Sequence, residues 1–261
     1  MPRTHLLDHL ILIVGVVFMM GPVGLLVWQL AAGSDPSALW ALFLEVWQGE
    51  TRNGVLPASQ MMLNSFILAL GIALIKCAIS MLAAYALVMF HVPGREILFG
   101  AILVSMFFPI ETRILPTFAV VSELGLLNSY TGMILPVVAS GLGVLILRLY
   151  LQHLPPELFE AARLDGAGPV RFFLDFVLPL SLPMLAALFA ILFVLGWNQY
   201  VWPIMVATTS MEHGTLVRGM ASLSVSSQAG LLLMLLALLP PALVFLALQR
   251  WLVRGLTAGI H

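Results

Sequence analysis

Three charged side chains stand inside otherwise apolar runs: Lys76, Glu111 and Arg113. A charge at the centre of a bilayer costs about 2.5–3.5 kcal/mol on insertion scales, so each of them needs a partner or water. Arg113 could present its planar donor fork to the oxygens of a phosphate-bearing solute, or it could hold its own segment in place through an ion pair. Glu111 and Arg113 lie two positions apart and so point to nearly opposite faces of a helix, which leaves one of them to pair with Lys76 or with a neighbouring subunit. Asn198, Gln199, Tyr200 and Trp202 form a second polar group in another apolar run. Amides, a phenol and an indole there suit a hydroxylated solute, and they suit hydrogen bonds between helices equally well. On a continuous helix Asn198 and Trp202 share a face, and Pro203 frees the carbonyl of Gln199.

Other chemistries find no support. A phosphate-binding P-loop needs Gly-x-x-x-x-Gly-Lys-Ser/Thr, and the single lysine, Lys76, stands between Ile75 and Cys77. Any ATP, with its Mg, is therefore expected on a partner protein, and no cofactor on this chain. The six histidines are scattered. His5 and His9 have an i, i+4 spacing, but with Asp8 beside them they read as the polar flank of the first apolar run, so no metal site is expected. Cys77 has no second cysteine to pair with and reads as a small buried hydrophobe.

The elements that must position these residues follow from composition. Of 261 residues, 61% are hydrophobic and 9% charged, with a net charge of −1. Mean hydropathy is +1.08. A soluble domain carries about 25% charged residues, and a disordered chain has low hydrophobicity, so both are excluded. Nucleic-acid binding would require clustered Lys and Arg. Runs of roughly 20 apolar residues, enough to cross about 30 Å of hydrocarbon, predict six spans near 10–30, 61–90, 97–118, 130–150, 184–208 and 229–250. Lipid offers backbone groups no partner and the runs show no period-two alternation, so the spans are predicted to be helices and the fold class is an all-α membrane bundle.

The first run precedes Ala31, Ala32 and Gly33, yet its length exceeds the roughly 7–15 apolar residues of a cleaved leader, and it is expected to stay as a helix. Arg3, Arg95, Arg148, Arg163, Arg171, Arg250 and Arg254 fall on one side, against Arg52 and Arg218 on the other, which predicts cytoplasmic termini. Segments 31–60 and 209–228 are then external. In the first of these, Trp40, Phe43, Leu44 and Trp47 form an i, i+3, i+4, i+7 aromatic face suited to the membrane interface or to an external partner. The organisation is thus residues 1–60 as a first span with its external segment, 61–254 as the core with a cytoplasmic loop 151–183, and 255–261 as a short tail.

That loop is predicted to contain two short helices. Pro155 and Pro156 suit a helix start, Glu157 and Glu160 favour its positive end, Gly166 suits the stop and Pro169 can open the next helix. Leu178-Pro179 and Pro183 are expected to break the chain before the fifth span. Leu158, Ala161, Ala162 and Asp165 are expected on one face. Phe159 and the alanines have no lipid to enter, which leaves a groove on another protein or the ends of the chain's own helices.

The order Glu160-Ala161-Ala162, three residues, Gly166, nine residues, Phe176-Val177-Leu178-Pro179 resembles the EAA loop of permease subunits of binding-protein-dependent ABC importers. Phe176 replaces the usual isoleucine and keeps the position apolar. The similarity extends from about Met61 to Arg254. Phe107 to Arg113, Gly196 to Pro203 and Gln249-Arg250 resemble the carbohydrate-importer branch. The resemblance implies a type I ABC importer permease fold of about six spans in a bacterial cytoplasmic membrane. It also implies a second homologous permease, an ABC ATPase dimer and an external solute-binding protein as partners. Glu160, Ala161, Ala162, Arg163, Asp165 and Gly166 would form the coupling helix: polar contacts from Glu160 and Arg163, close packing by the alanines, a sharp turn at Gly166. The implied solute is sn-glycerol 3-phosphate or a glycerophosphodiester, with another sugar or polyol as the alternative. A self-sufficient secondary transporter or channel is the reading from another class, though the chain lacks the doubled halves usual there.

Overall fold

The structure is a computed structural model that describes residues 3–49, 56–108, 110–208, 211–223 and 227–257. All regular elements among them are helical. In chain order they are α1 (Arg3–Ala31), α2 (Pro36–Gln48), α3 (Ala58–Met89), α4 (Arg95–Met106), α5 (Ile110–Glu123), α6 (Tyr130–Ile134), α7 (Gly141–Gln152), α8 (Pro156–Leu164), α9 (Pro169–Phe172), α10 (Leu178–Trp197), α11 (Val201–Val206), α12 (Leu216–Ser222) and α13 (Gln228–Thr257). Four helices are long and apolar enough to span a membrane: Leu7–Ala31, Ala58–Met89, Pro169–Trp197 and Gln228–Leu252. Among the described residues the pair Tyr130–Val137 and Gly141–Gln152, bent by 51°, is also apolar enough and forms either a broken span or a re-entrant loop.

Three expectations need correction. The third span, expected over 97–118 with interruptions at Pro109 and Pro116, is two helices, α4 and α5, of 12 and 14 residues. Pro109 lies between them and outside the described residues, whereas Pro116 sits within α5 without interrupting it. The fifth span does not begin near residue 184 after a proline break. It runs from Pro169 to Trp197, because Phe173–Val177 form a π-helical turn in which the Leu178 amide donates to the Phe173 carbonyl. That wider turn lies immediately ahead of Pro179, whose ring in a regular helix would meet the carbonyl four residues back. The same span ends at Trp197, short of the expected 208, and α11 follows after a break at 198–200.

α3 is the central helix, packed against α7 and α10, and α10 packs in turn on α13. Its small residues Ala69, Ala73, Ala84 and Cys77 are buried, as expected where association depends on close backbone approach rather than on expulsion of water. At the α3–α10 crossing a Cβ on Gly196 would lie 3.0 Å from the Ala69 Cα. In α13, Pro241 cannot donate to the carbonyl of Ala237, and the indole of Trp197 donates to it instead, at 3.1 Å.

The expected aromatic face of α2 is present. Trp40 stacks on Phe43 at 5.4 Å and Phe43 on Trp47 at 5.7 Å. Phe43 and Trp47 pack against the core while Trp40 stays exposed, so the ladder runs from the bundle outward.

Candidate functional site

The predicted punctuation of the loop is what the backbone adopts. Pro156 is the first residue of α8, and Gly166, at φ +71°, closes it. The Ala167 amide donates to the Ala162 carbonyl at 2.9 Å, a six-residue closure that passes through a left-handed residue and favours glycine there. Pro169 then opens α9, and the Tyr85 hydroxyl at the end of α3 donates to the Pro169 carbonyl at 2.8 Å.

Burial divides α8 differently from the sequence expectation. Ala162 is buried, and Phe159 packs edge-on against Phe172, which stacks on Phe176. Phe159 and Ala162 therefore face the chain's own helices. Ala161 and Asp165, expected on a common face with Ala162, are exposed. Glu157, Glu160, Ala161 and Leu164 form the outward stripe, with Leu164 89% exposed. Sequence reasoning passed over Leu164, although its i, i+3, i+4, i+7 relation to those residues marks it. The side chain of Arg163 lies outside the described residues. Behind α8 a cleft of about 390 Å³ is lined by His91, Arg95, Gln152, Leu158, Phe159 and Phe172, so the helix rests on an aromatic hinge rather than on a filled core.

Nearby, Arg148 of α7 is buried and makes a two-pronged bond to Glu96 of α4, at 2.6 and 2.8 Å. Its guanidinium lies 3.9 Å from the centre of the Phe99 ring. The sequence reading used Arg148 only to orient the chain. The turn Glu96–Phe99, with its acid and aromatic at i, i+3, was the available signal.

At membrane depth, Lys76 is half-buried on α3 and Arg113 is exposed on α5. They lie within electrostatic reach of one another as like charges, so Arg113 is not the counter-ion of Lys76. The ion pairs among the described residues involve Arg95, Arg148 and Arg171. The Glu111 side chain lies outside the described residues.

The second polar group does not share one face, because the helix is interrupted at 198–200. Asn198 is exposed and caps its own helix, its amide donating to the Val194 carbonyl at 3.0 Å. Gln199 keeps a buried Oε1 without a partner, and Tyr200 is exposed. Trp202 is buried, with its indole donating to the Met133 carbonyl at 3.1 Å, and is committed to packing. At the same end of the bundle, Asn64 donates to the carbonyls of Glu212 and Gly214 at 2.7 and 2.9 Å and accepts from the Tyr130 hydroxyl at 2.7 Å. This network, which ties the segment after α11 to the start of α3, had no spacing signal in the sequence.

Residues 76–258 match the family described as binding-protein-dependent transport system inner membrane component. The chain belongs to this family, as a multi-pass inner-membrane permease subunit whose partners include an ATPase and a binding protein.

Among its relatives, the sn-glycerol-3-phosphate transport system permease protein UgpE of Yersinia pestis is 42% identical over 95% of this chain and 94% of its own length. The protein of the same name from Escherichia coli K12 is 39% identical over 98% and 96%. Among solved structures, a bacterial ABC transporter involved in the import of the acidic polysaccharide alginate shares the fold. Its matching chain has a TM-score of 0.77 at 17% identity, covering 95% of this chain and 96% of that one.

Proposed function

We propose that this chain forms half of the translocation pathway of an ATP-driven importer for sn-glycerol 3-phosphate or a related glycerophosphodiester. A second, homologous permease completes the pathway, an external binding protein delivers the solute, and ATP with Mg is bound and hydrolysed on a separate ATPase pair. The chain itself is non-catalytic. The observation that carries this reading is α8: a helix braced from behind by Phe159 and Ala162, stopped by Gly166, and presenting Glu160, Ala161, Leu164 and Asp165 outward.

Such a rigid element can follow the motion of an ATPase groove. The Tyr85–Pro169 bond and the Phe159–Phe172–Phe176 stack join α8 to α3 and to the fifth span. Movement of α8 then shifts the bundle between inward-open and outward-open states, a two-state equilibrium biased by nucleotide. Asn198, Gln199 and Tyr200, at a helix break, are candidate contacts for the hydroxyl groups of the solute, since irregular backbone at membrane depth is tolerated where it lines a cavity or is buried in protein. The solute assignment is supported by the name shared by the Yersinia and Escherichia relatives.

Reconstitution tests the reading. Proteoliposomes containing both permeases, the ATPase and the binding protein should accumulate sn-glycerol 3-phosphate only with ATP. Uptake by this chain alone, without an ATPase, would overturn it.

A further inference from the structure

Lys76 and Arg113 are far apart in sequence and on different helices. α3 and α5 nevertheless contribute to one apolar cluster, in which Leu68 and Ile72 of α3 join Val121, Phe118 and Ile114 of α5. One turn beyond Ile72 on α3 is Lys76, and next to Ile114 on α5 is Arg113. Both cations therefore emerge at the same edge of that cluster, and they lie within electrostatic reach of each other. Among the described residues neither has an acidic partner. Glu111 is two positions from Arg113, about 200° around α5. At 1.5 Å per residue Lys76 lies about 27 Å from the outer end of α3 and about 20 Å from the inner end, which excludes a lipid headgroup as the neutralising anion.

Two cations held close at that depth repel each other, and an anion that joins them relieves the cost. The pair also differs in kind. Arg113 supplies a planar fork that matches two oxygens of a phosphate, and Lys76 a flexible point charge for the third. We propose that Lys76 and Arg113 together form an intramembrane binding site for the phosphate group of the transported solute, with a doubly charged phosphomonoester as its best-fitting ligand. The proposal rests on the importer reading above and adds to it where in the membrane the charge of the solute is carried.

The test uses the reconstituted four-component importer, with uptake measured per assembled complex. Lys76→Gln and Arg113→Gln should each lower the initial rate of sn-glycerol 3-phosphate uptake about tenfold, the loss of one charge-assisted contact. Lys76→Arg should retain most of it, and Arg113→Lys, which keeps the charge but loses the fork, an intermediate share. A glycerophosphodiester, with one negative charge instead of two, should lose less than the monoester in Lys76→Gln.

Uptake unchanged in both neutral variants overturns the site. Loss of the assembled complex in both neutral variants, with recovery in the charge-conserving ones, also overturns it, since the charges then serve a subunit contact. An equal loss for monoester and diester overturns the two-cation form. A wild-type complex that takes up no phosphorylated solute overturns the importer reading itself, a result distinct from a working wild type with indifferent variants.

Discussion

α8 and the membrane-depth polar residues answer the same physical demand in opposite ways. At α8 the polar backbone ends are satisfied locally. Gly166 turns the chain, the Ala167 amide returns to the Ala162 carbonyl, and Tyr85 holds the Pro169 carbonyl. What α8 leaves outward is side chain, most of all Leu164. At membrane depth the pattern reverses: the helices are packed, yet Lys76 and Arg113 have no acid among the described residues, and Gln199 has a buried oxygen without a partner. On the proposed function, the self-contained element transmits force and the incomplete polar set meets the solute. Arg148 shows that the chain can supply a counter-ion to a buried charge, since Glu96 and Phe99 close around it, although its Nε stays buried without a partner.

The sharpest way to break this contrast is at Gly166. Gly166→Pro forces φ to about −65° where the stop needs +71°. ATP-dependent uptake should fall at least about a hundredfold, beyond the loss of a single contact, while the chain still inserts in the membrane. Co-purification of a fully active complex from this variant would show that α8 does not couple.

Leu164→Glu places a charge on the outward stripe without touching the brace behind it. Binding of the ATPase pair should weaken about tenfold, a cost of about 1.4 kcal/mol, with the melting temperature of the isolated chain unchanged, as pull-down and thermal unfolding would report. A shift in melting temperature would mean that Leu164 belongs to the bundle.

The Arg148 clamp sharpens the other side. Glu96→Ala strands a buried guanidinium and should destabilise the chain by about 2 kcal/mol, whereas Arg148→Met, which removes the charge and keeps the packing, should cost under about 1 kcal/mol. Thermal unfolding in detergent measures the order of the two, and the reverse order would mark Arg148 as a packing residue. The smallest effect is expected from Trp197→Phe. It leaves the Ala237 carbonyl, already freed by Pro241, without its donor, and should cost about 1 kcal/mol by the same measurement.

Much of α8 was legible before any coordinates, because its start and stop depend on proline and glycine stereochemistry at the residues themselves. Which way it faced was not. Ala161 and Ala162 are chemically identical neighbours, and only Ala162 joins the buried cluster that holds Phe172. The prolines ahead of the fifth span misled for a related reason. Pro179 and Pro183 look like breaks in isolation, yet a wide turn at Phe173–Val177 precedes Pro179 and the helix continues through Pro183. Trp202, which its run offered equally to a solute or to a neighbouring helix, is buried, and the Met133 carbonyl, 69 residues away, accepts its indole.

The sequence by itself determined that this chain is a multi-pass membrane protein and where the short helix α8 starts and stops. These follow from run length and backbone stereochemistry, both properties of adjacent residues. Only the tertiary structure decided which face of α8 is outward, that Arg148 is clamped while Lys76 and Arg113 are left together, and that the two polar groups within the spans divide between core and exposed surface. Each of those depends on a partner supplied by a distant helix, and linear spacing carries no record of which helices meet.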